Sequence, residues 1–529
     1  MMQVVIPMSG VGQRFLDAGY KVPKPLISVE GREMIAYVLD CFPGETNLIF
    51  ICNEEHLKTT DMRSVLEDLA PEALIVSVAP HKLGPVYAVS RAFDAISDTQ
   101  EVIVSYCDFA KLWDYHEFLR QIRTRRSDGA ISGYRGFHPH MLGTTNYAFC
   151  RESEGDLIEI REKQPFTDQR MQEFASDGTY YFRTGTILKH YFLQLMERGI
   201  QTAGEYYVSM VFNLMVEDGL KVSLFEIEHM LQWGTPEDLK EYLYYSKMFQ
   251  RLAVKRFSKE IYPHTLIMPM AGAGSRFSQQ FYNLPKPLIP VSQKPMVAQA
   301  VYSLPQCENQ VFIVRDELLK EQKFGEYLSL NWPKSQVLSL SKSTEGQAST
   351  CALGVDLCDV DKPILIGACD TALLWDSAGF QELMQRPDLD CVVFSFKNHP
   401  PANKNPKAYG WLEADENGRV KKVRVKKPLN LNPENDLLMV GSFWFKNPKV
   451  FQEGYRILLE KQLRVNNEFY VDSLIEVLLE QGFCVVAFEV FEYLCFGTPD
   501  ELNSFLYWQK FFSKVEWHPY EMFHSCPLL

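Results

Sequence analysis

The chain reads as an α/β protein in which one domain, a mostly parallel sheet with helices on both faces, occurs twice. Three observations carry that reading. Short apolar or β-branched runs alternate with stretches of helical spacing, the pattern of strands joined by crossover helices. A glycine-rich turn closes an apolar run at two distant places, "VVIPMSGVGQRF" (4–15) and "LIMPMAGAGSRF" (266–277). The residues after each turn then match in order at a nearly constant offset.

The alternation is plainest in "NLIFICN", "EALIVSV" and "EVIVSYCD" of the first half and in "QVFIVRD" and "PILIGACD" of the second. Between these predicted strands lie helical stretches such as "GPVYAVSRAFDAI" and "QASTCALGVDL". In sheets of this kind ligands bind beyond the carboxyl ends of the strands, where the glycine turns and both "CD" dipeptides fall.

The repeat is equally direct. Gly10 and Gly272 stand 262 residues apart, as do Arg14 and Arg276, Lys24 and Lys286, Gly84 and Gly346, and Asp108 and Asp370. "NYA" (146–148) meets "AYG" (408–410) at the same offset. Later the offset drifts slightly: "EYYVS" (205–209) meets "EFYVD" (468–472), and "WGTPEDL" (233–239) meets "FGTPDEL" (496–502). Such a period is too long for a solenoid, and 529 residues are too many for one core. Two homologous domains follow, 1–250 and 265–512, with a linker at 251–264 and a tail at 513–529.

Hydrophobic content of 46% and charged content of 23% are ordinary for a globular protein. A net charge of −13 argues against a general nucleic-acid grip, although a local basic cleft can still take a small anion. The twelve cysteines include no C-x-x-C pair, which suits a reducing compartment. No secretory signal and no membrane-length apolar run is visible, so a cytoplasmic protein without nucleic-acid or membrane partners is expected.

The motifs ask for phosphate chemistry. Gly10 and Gly12, like Gly272 and Gly274, let the backbone approach a polyphosphate, and Arg14 or Arg276 adds a planar fork for its oxygens. A dinucleotide fingerprint would want a third glycine where Phe15 and Phe277 stand, and no G-x-x-x-x-G-K-[ST] occurs. Lys24 and Lys286 sit between prolines, in identical "PKPLI" segments that stiffen the backbone around an ammonium suited to neutralising a transferring phosphoryl group. Asp108 and Asp370 each end an apolar strand, where a carboxylate can hold Mg²⁺ or simply cap a turn. The "GFHPHMLG" loop (136–143) lacks further ligands for zinc and is read either as a contact to a phosphorylated acceptor or as a turn.

This ordered set, G-x-G-x-R-F, P-K-P-L, a strand ending in Asp, Glu-Lys-x-Pro, Gly-Thr-Tyr-Tyr-Phe and G-T-P-E-D-L, resembles the nucleoside-triphosphate transferase family, which includes the sugar-1-phosphate nucleotidyltransferases or pyrophosphorylases. The resemblance covers nearly the whole chain. It implies two tandem Rossmann-like, glycosyltransferase A-type domains. The activity implied is transfer of a nucleoside monophosphate from CTP, UTP or dTTP to a phosphorylated small acceptor, with Mg²⁺, for surface polysaccharide precursors. By resemblance Gly10, Gly12, Gly84, Gly272, Gly274, Gly346 and Gln347 would hold the nucleotide. Arg14, Lys24, Lys163, Arg276 and Lys286 would handle the phosphates, with the metal on Asp108 and Asp370. Glu162, Gly178, Lys427 and Gly441 would line the acceptor pockets.

Departures from the pattern matter. Gln232 and Cys495 stand where the family often places a second metal aspartate. The second copy offers Lys426 beside Lys427 where the first has Glu162 beside Lys163, so its acceptor pocket is expected to carry inverted charge. "GQA" (346–348) matches "GPVYA" (84–88), and with these departures the two copies are expected to read different ligands, or only one to turn over. Two other readings stand beside this one. A nucleotide-sugar glycosyltransferase would want an Asp-x-Asp pair that "CDFA" and "CDTA" do not supply. A non-catalytic nucleotide-binding protein would release no pyrophosphate.

Overall fold

The computed structural model describes residues 2–522 except 255–259, 273, 281, 322–323 and 432. The chain divides into two compact units, Met1–Leu243 and Tyr244–Leu529. Helix Pro236–Val254 is continuous across that division, and the next strand begins at Ile261. The segment read as a linker is therefore helical up to Val254 and extended from Ile261, and its residues 255–259 lie outside the described ones.

In the first unit the strands Leu74–Val78, Leu48–Asn53, Met2–Met8 and Glu101–Ser105 lie side by side in that order and are parallel. Phe174–Phe182 then runs antiparallel between Glu101–Ser105 and Gly129–Tyr134, and Val222–Glu226 is parallel to the latter. The hairpin Ala148–Ser153 with Asp156–Glu162 completes nine strands. Only Phe174–Phe182 and Asp156–Glu162 oppose the common direction. The near-continuous apolar runs follow from burial on both faces: every residue of Leu48–Asn53 is buried. The edge strand Leu74–Val78 is the exception, with Leu74 50% exposed, because it has a neighbour on one side only.

The second unit repeats this plan. Gln336–Leu340, Gln306–Arg315, Ile261–Met270 and Ile364–Ile366 form the parallel half, followed by antiparallel Leu437–Phe445, then Cys391–Phe396 and Val485–Glu489. The helix quoted as "QASTCALGVDL" is Gln347–Val355, whereas the stretch 84–96 divides into Pro85–Ser90 and a 3₁₀ turn Phe93–Ala95. Within the tail Val515, His518 and Tyr520 are buried, and the Tyr520 hydroxyl accepts from Gln509 Nε2 at 2.7 Å. The cysteines among the described residues are all free. Among the described residues, no helix is long and apolar enough to cross a membrane.

Candidate active site

The site grows from the carboxyl ends of the parallel strands. After Met2–Met8 the chain turns through Gly12, whose φ of 70° lies in the left-handed region that favours glycine, into the short helix Gln13–Asp17. Gly274 makes the same turn at φ 59° before Ser275–Ser278. A side chain at either glycine would meet the Cβ of the proline-flanked lysine, at 3.6 Å for Lys24 and 3.3 Å for Lys286. Phe15 packs edge-on against Tyr20 and Phe277 against Tyr282, both with ring centres 5.1 Å apart, so each turn is locked from below in the same way.

Pro23 caps and Pro25 rigidifies the 3₁₀ turn Lys24–Leu26, which aims the Lys24 ammonium at Asp108. Lys24 Nζ donates to Asp108 Oδ2 and, at 3.2 Å, to the carbonyl of Gly234. The second unit duplicates this: Lys286 Nζ donates to Asp370 Oδ2 and, at 3.1 Å, to the carbonyl of Gly497. Burial opposes charge on both of these partners. Their mutual attraction outweighs it, holding the Asp370 carboxyl below its ordinary range and the Lys286 ammonium above its own.

Two adjoining cavities of about 440 and 500 Å³ open on either side of the Lys24–Asp108 pair, sizes suited to small molecules. Gly10 and Gly84 line one, Arg14, Glu162, Lys163 and Gly178 line the other, and Gly12 lines both. Lys24 and Asp108 line both. The structure thus brings together every first-copy residue named above.

Gly84 (φ 87°) is required by close approach. A Cβ there would sit 2.8 Å from the backbone N and O of Tyr206, which bond to Leu83 and Val86. Gly346 (φ 131°) meets Phe469 in the same way at 2.5 and 2.6 Å, and Gln347 follows as the first residue of its helix. Arg276 lies near enough to Asp370, Lys426 and Tyr470 to affect their charge, so the second unit gathers the same constellation.

In the 440 Å³ cavity, Glu162 accepts from Ser209 Oγ at 2.6 Å. Burial still pushes its carboxyl up to about 7, against the pull of Ser209 and Lys163. Lys163 has φ 60°, donates its N–H to the Tyr147 carbonyl at 2.8 Å, and sends Nζ to the Tyr207 hydroxyl at 2.6 Å. Gly178 (φ 92°) lets Tyr106 pack where a Cβ would lie 2.9 Å from the ring, and Gly441 (φ 80°) faces Ala368 Cβ at 3.4 Å. Sequence reasoning missed Tyr106, Glu205 and Tyr207 as lining residues. The repeated "EYYVS"/"EFYVD" segment was the signal that could have found the last two.

The pairing of the second copy corrects one equivalence. Glu162 faces Ala148 and Val425 faces Gly410 across homologous hairpins. Lys426, with φ 59° and its N–H on the Tyr409 carbonyl at 3.1 Å, occupies the place of Lys163. Lys427 lies one residue beyond, and the counterpart of Glu162 is Val425. The charge inversion expected for the second copy does not occur. The reason is one additional residue in the second hairpin, which moves the later sequence out of the 262-residue offset.

The metal question turns on donors. Gln232 and Cys495 lie on strands paired with Phe109–Leu112 and Thr371–Leu374, close to Asp108 and Asp370, and neither adds a carboxylate. Among the described residues, no group of three or more His, Cys, Asp or Glu is arranged to hold a metal ion. One carboxylate beside a phosphate cavity does fit Mg²⁺, which binds through one or two carboxylates together with substrate phosphates. The histidine loop belongs to the core: His138 and His140 are buried, His140 Nε2 is 2.8 Å from the Tyr134 hydroxyl, and burial lowers His138 to about 3. Neither lines a cavity described above.

Fold and site together define a nucleotidyltransferase domain, present twice. Residues 4–170 match the MobA-like NTP transferase domain family and residues 265–502 match the nucleotidyl transferase family. The chain is a tandem of two nucleotidyl transferase family domains. Among curated proteins it is similar to the bifunctional protein GlmU of Clostridioides difficile, 25% identical over 237 residues, covering 42% of this chain and 46% of that protein. It is also similar to GlmU of Desulfotalea psychrophila, 26% identical over 225 residues, covering 41% and 62%. The chain thus spans about half to three fifths of the length of these relatives. Solved structures with likeness include a nucleoside-diphosphate-sugar pyrophosphorylase from Vibrio cholerae RC9, at 20% identity and TM-score 0.38, covering 46% of this chain and 99% of that one. Another is the inositol-1-phosphate CTP transferase from T. maritima, at 16% and 0.37, covering 48% and 97%.

Proposed function

We propose that the first domain transfers a nucleoside monophosphate from CTP, UTP or dTTP to a phosphorylated sugar or similar small acceptor, releasing pyrophosphate. The observation that carries this reading is the placement of Lys24 and Asp108 on the wall shared by two cavities. The glycine turn and Gly84 suit the first cavity to a triphosphate; Glu162, Lys163 and Gly178 suit the second to a phosphorylated, hydroxyl-bearing acceptor. An acceptor phosphate oxygen attacks the α-phosphorus in line, and the bond to pyrophosphate breaks. The protein forms no covalent bond; it positions the reactants and neutralises their charge.

Arg14 forks onto phosphate oxygens and Lys24 presents its ammonium to the transferring group, leaving the Asp108 carboxylate free to hold a cation. Lys163 pairs with the acceptor phosphate while Glu162 accepts hydroxyl protons. Asp108, and Asp370 in the second domain, would hold Mg²⁺, which supplies charge neutralisation and orientation of the phosphates. The proposed products would serve as precursors of surface polysaccharides, and the proposed location is the cytoplasm, where nucleoside triphosphates are supplied. A matrix of nucleoside triphosphates against phosphorylated acceptors, read by pyrophosphate, tests the reading. Release with at least one pair is expected, and none across the matrix would overturn it.

A further inference from the structure

The acceptor wall of the second domain differs from that of the first at three touching positions, and the three changes compensate. The strand carboxylate Glu162 becomes Val425, and its facing residue Ala148 becomes Gly410. Ser209, second residue of helix Val208–Glu217 and the donor to Glu162, becomes Asp472, second residue of helix Val471–Glu480. The space left at Gly410 is where the new acid sits: a Cβ there would lie 2.5 Å from Asp472 Oδ2. A carboxylate has moved from the strand wall to the helix wall, and a methyl has been removed to admit it.

The backbone around the lysine is kept, although Lys426 Nζ donates to the Ala408 carbonyl where Lys163 Nζ donates to the Tyr207 hydroxyl. Lys426 holds the position and backbone conformation of Lys163, over the Tyr470 ring as Lys163 lies over Tyr207. Asp472 lies close enough to Lys426 for each to bear on the other's charge, and Arg276 also acts on Lys426. No described side chain donates a hydrogen bond to Asp472, whereas Glu162 is already engaged by Ser209. An acid near a cation, engaged by its own backbone N–H and by no side-chain donor, keeps acceptor sites for the hydroxyl protons of a bound molecule.

We propose that the second domain keeps a working acceptor subsite in which Asp472, not a strand glutamate, receives the hydroxyls of a phosphorylated sugar or polyol, and that this relocation sets which acceptor it takes. The inference rests on the reaction proposed above. An acceptor phosphate on Lys426 places its hydroxyls against the opposite wall from that used by the first domain. The two domains therefore select different hydroxyl patterns with the same local charge.

The test uses the full chain carrying Asp108→Ala to silence the first domain. Hexose 1-phosphates and alditol phosphates are offered with CTP, UTP or dTTP, and pyrophosphate is read. Turnover of at least one pair is expected. Asp472→Asn, nearly isosteric, should then raise the acceptor KM about 10- to 100-fold, as for loss of a charged hydrogen bond, with the nucleotide KM unchanged. The triple exchange Val425→Glu, Asp472→Ser and Gly410→Ala should move acceptor preference toward that of the first domain. An unchanged acceptor KM in Asp472→Asn, with an unchanged melting temperature, overturns the inference. So does a silent Asp108→Ala chain when the unmodified chain is active, which leaves the first domain's reaction standing. An unmodified chain silent with every pair removes the underlying reaction as well.

Discussion

Lys24 and Asp108 hold each other on the wall shared by two cavities, so the proposed triphosphate would have to take the ammonium from its carboxylate. Removing a preorganised charge of this kind costs about 10²–10³ in rate, and Lys24→Ala and Arg14→Ala should each lose that much in kcat. Arg14→Lys should recover little, because a point charge cannot reproduce the planar fork. Glu162 gives a pH signature. Burial raises its carboxyl to about 7, so it is mostly neutral below that value and becomes the stronger, charged acceptor of hydroxyl protons as pH rises through it. The acceptor KM should therefore fall between about pH 6 and 8, and Glu162→Gln should flatten the part of that profile that is not due to the acceptor's own phosphate. An identical profile in the variant would remove Glu162 from acceptor binding.

At the level of elements, the two copies solve one buried position differently. In the first domain Lys111 Nζ donates to Ser132 Oγ at 3.1 Å, Asp177 Oδ2 at 3.0 Å and Thr179 Oγ1 at 2.9 Å, with both charged side chains fully buried. In the second, Leu373, Phe394 and Val440 fill the corresponding places in the apolar core. Breaking a buried pair strands a charge at about 3–5 kcal/mol, whereas apolar replacement of both partners is often neutral. Lys111→Ala should lower first-domain stability by that amount, measured by hydrogen exchange, and Lys111→Leu with Asp177→Val should recover most of it. A further element-level test is Gly84→Ala, whose methyl would enter the Tyr206 backbone; overpacking of this kind costs about 1–3 kcal/mol, read by denaturant unfolding.

These elements also show what was legible. The glycine turn and the Pro-Lys-Pro turn could be read because each demands unusual backbone, and each occurs twice with the same neighbours. The register of the hairpin before Lys426 could not. A surface turn accepts an extra residue without cost to the sheet, and only strand pairing reveals the slip from Glu162/Lys426 to Glu162/Val425. Asp472 was hidden for a related reason, since its meaning depends on a gap at Gly410 sixty-two residues earlier in the chain.

For the whole molecule, a duplicated domain that retains every residue proposed to handle phosphate favours the proposal of two active centres over one centre and a remnant. Each domain has its own lysine–aspartate pair, its own close-approach glycine and its own lysine of positive φ, Lys163 or Lys426. The most direct measurement compares Asp108→Ala and Asp370→Ala in the full chain across one panel of triphosphates and phosphorylated acceptors, with pyrophosphate as the readout. The expected result is that each substitution abolishes turnover of one set of acceptors and spares the other. Equal loss of the same activity in both variants would contradict two separate, differently selective centres.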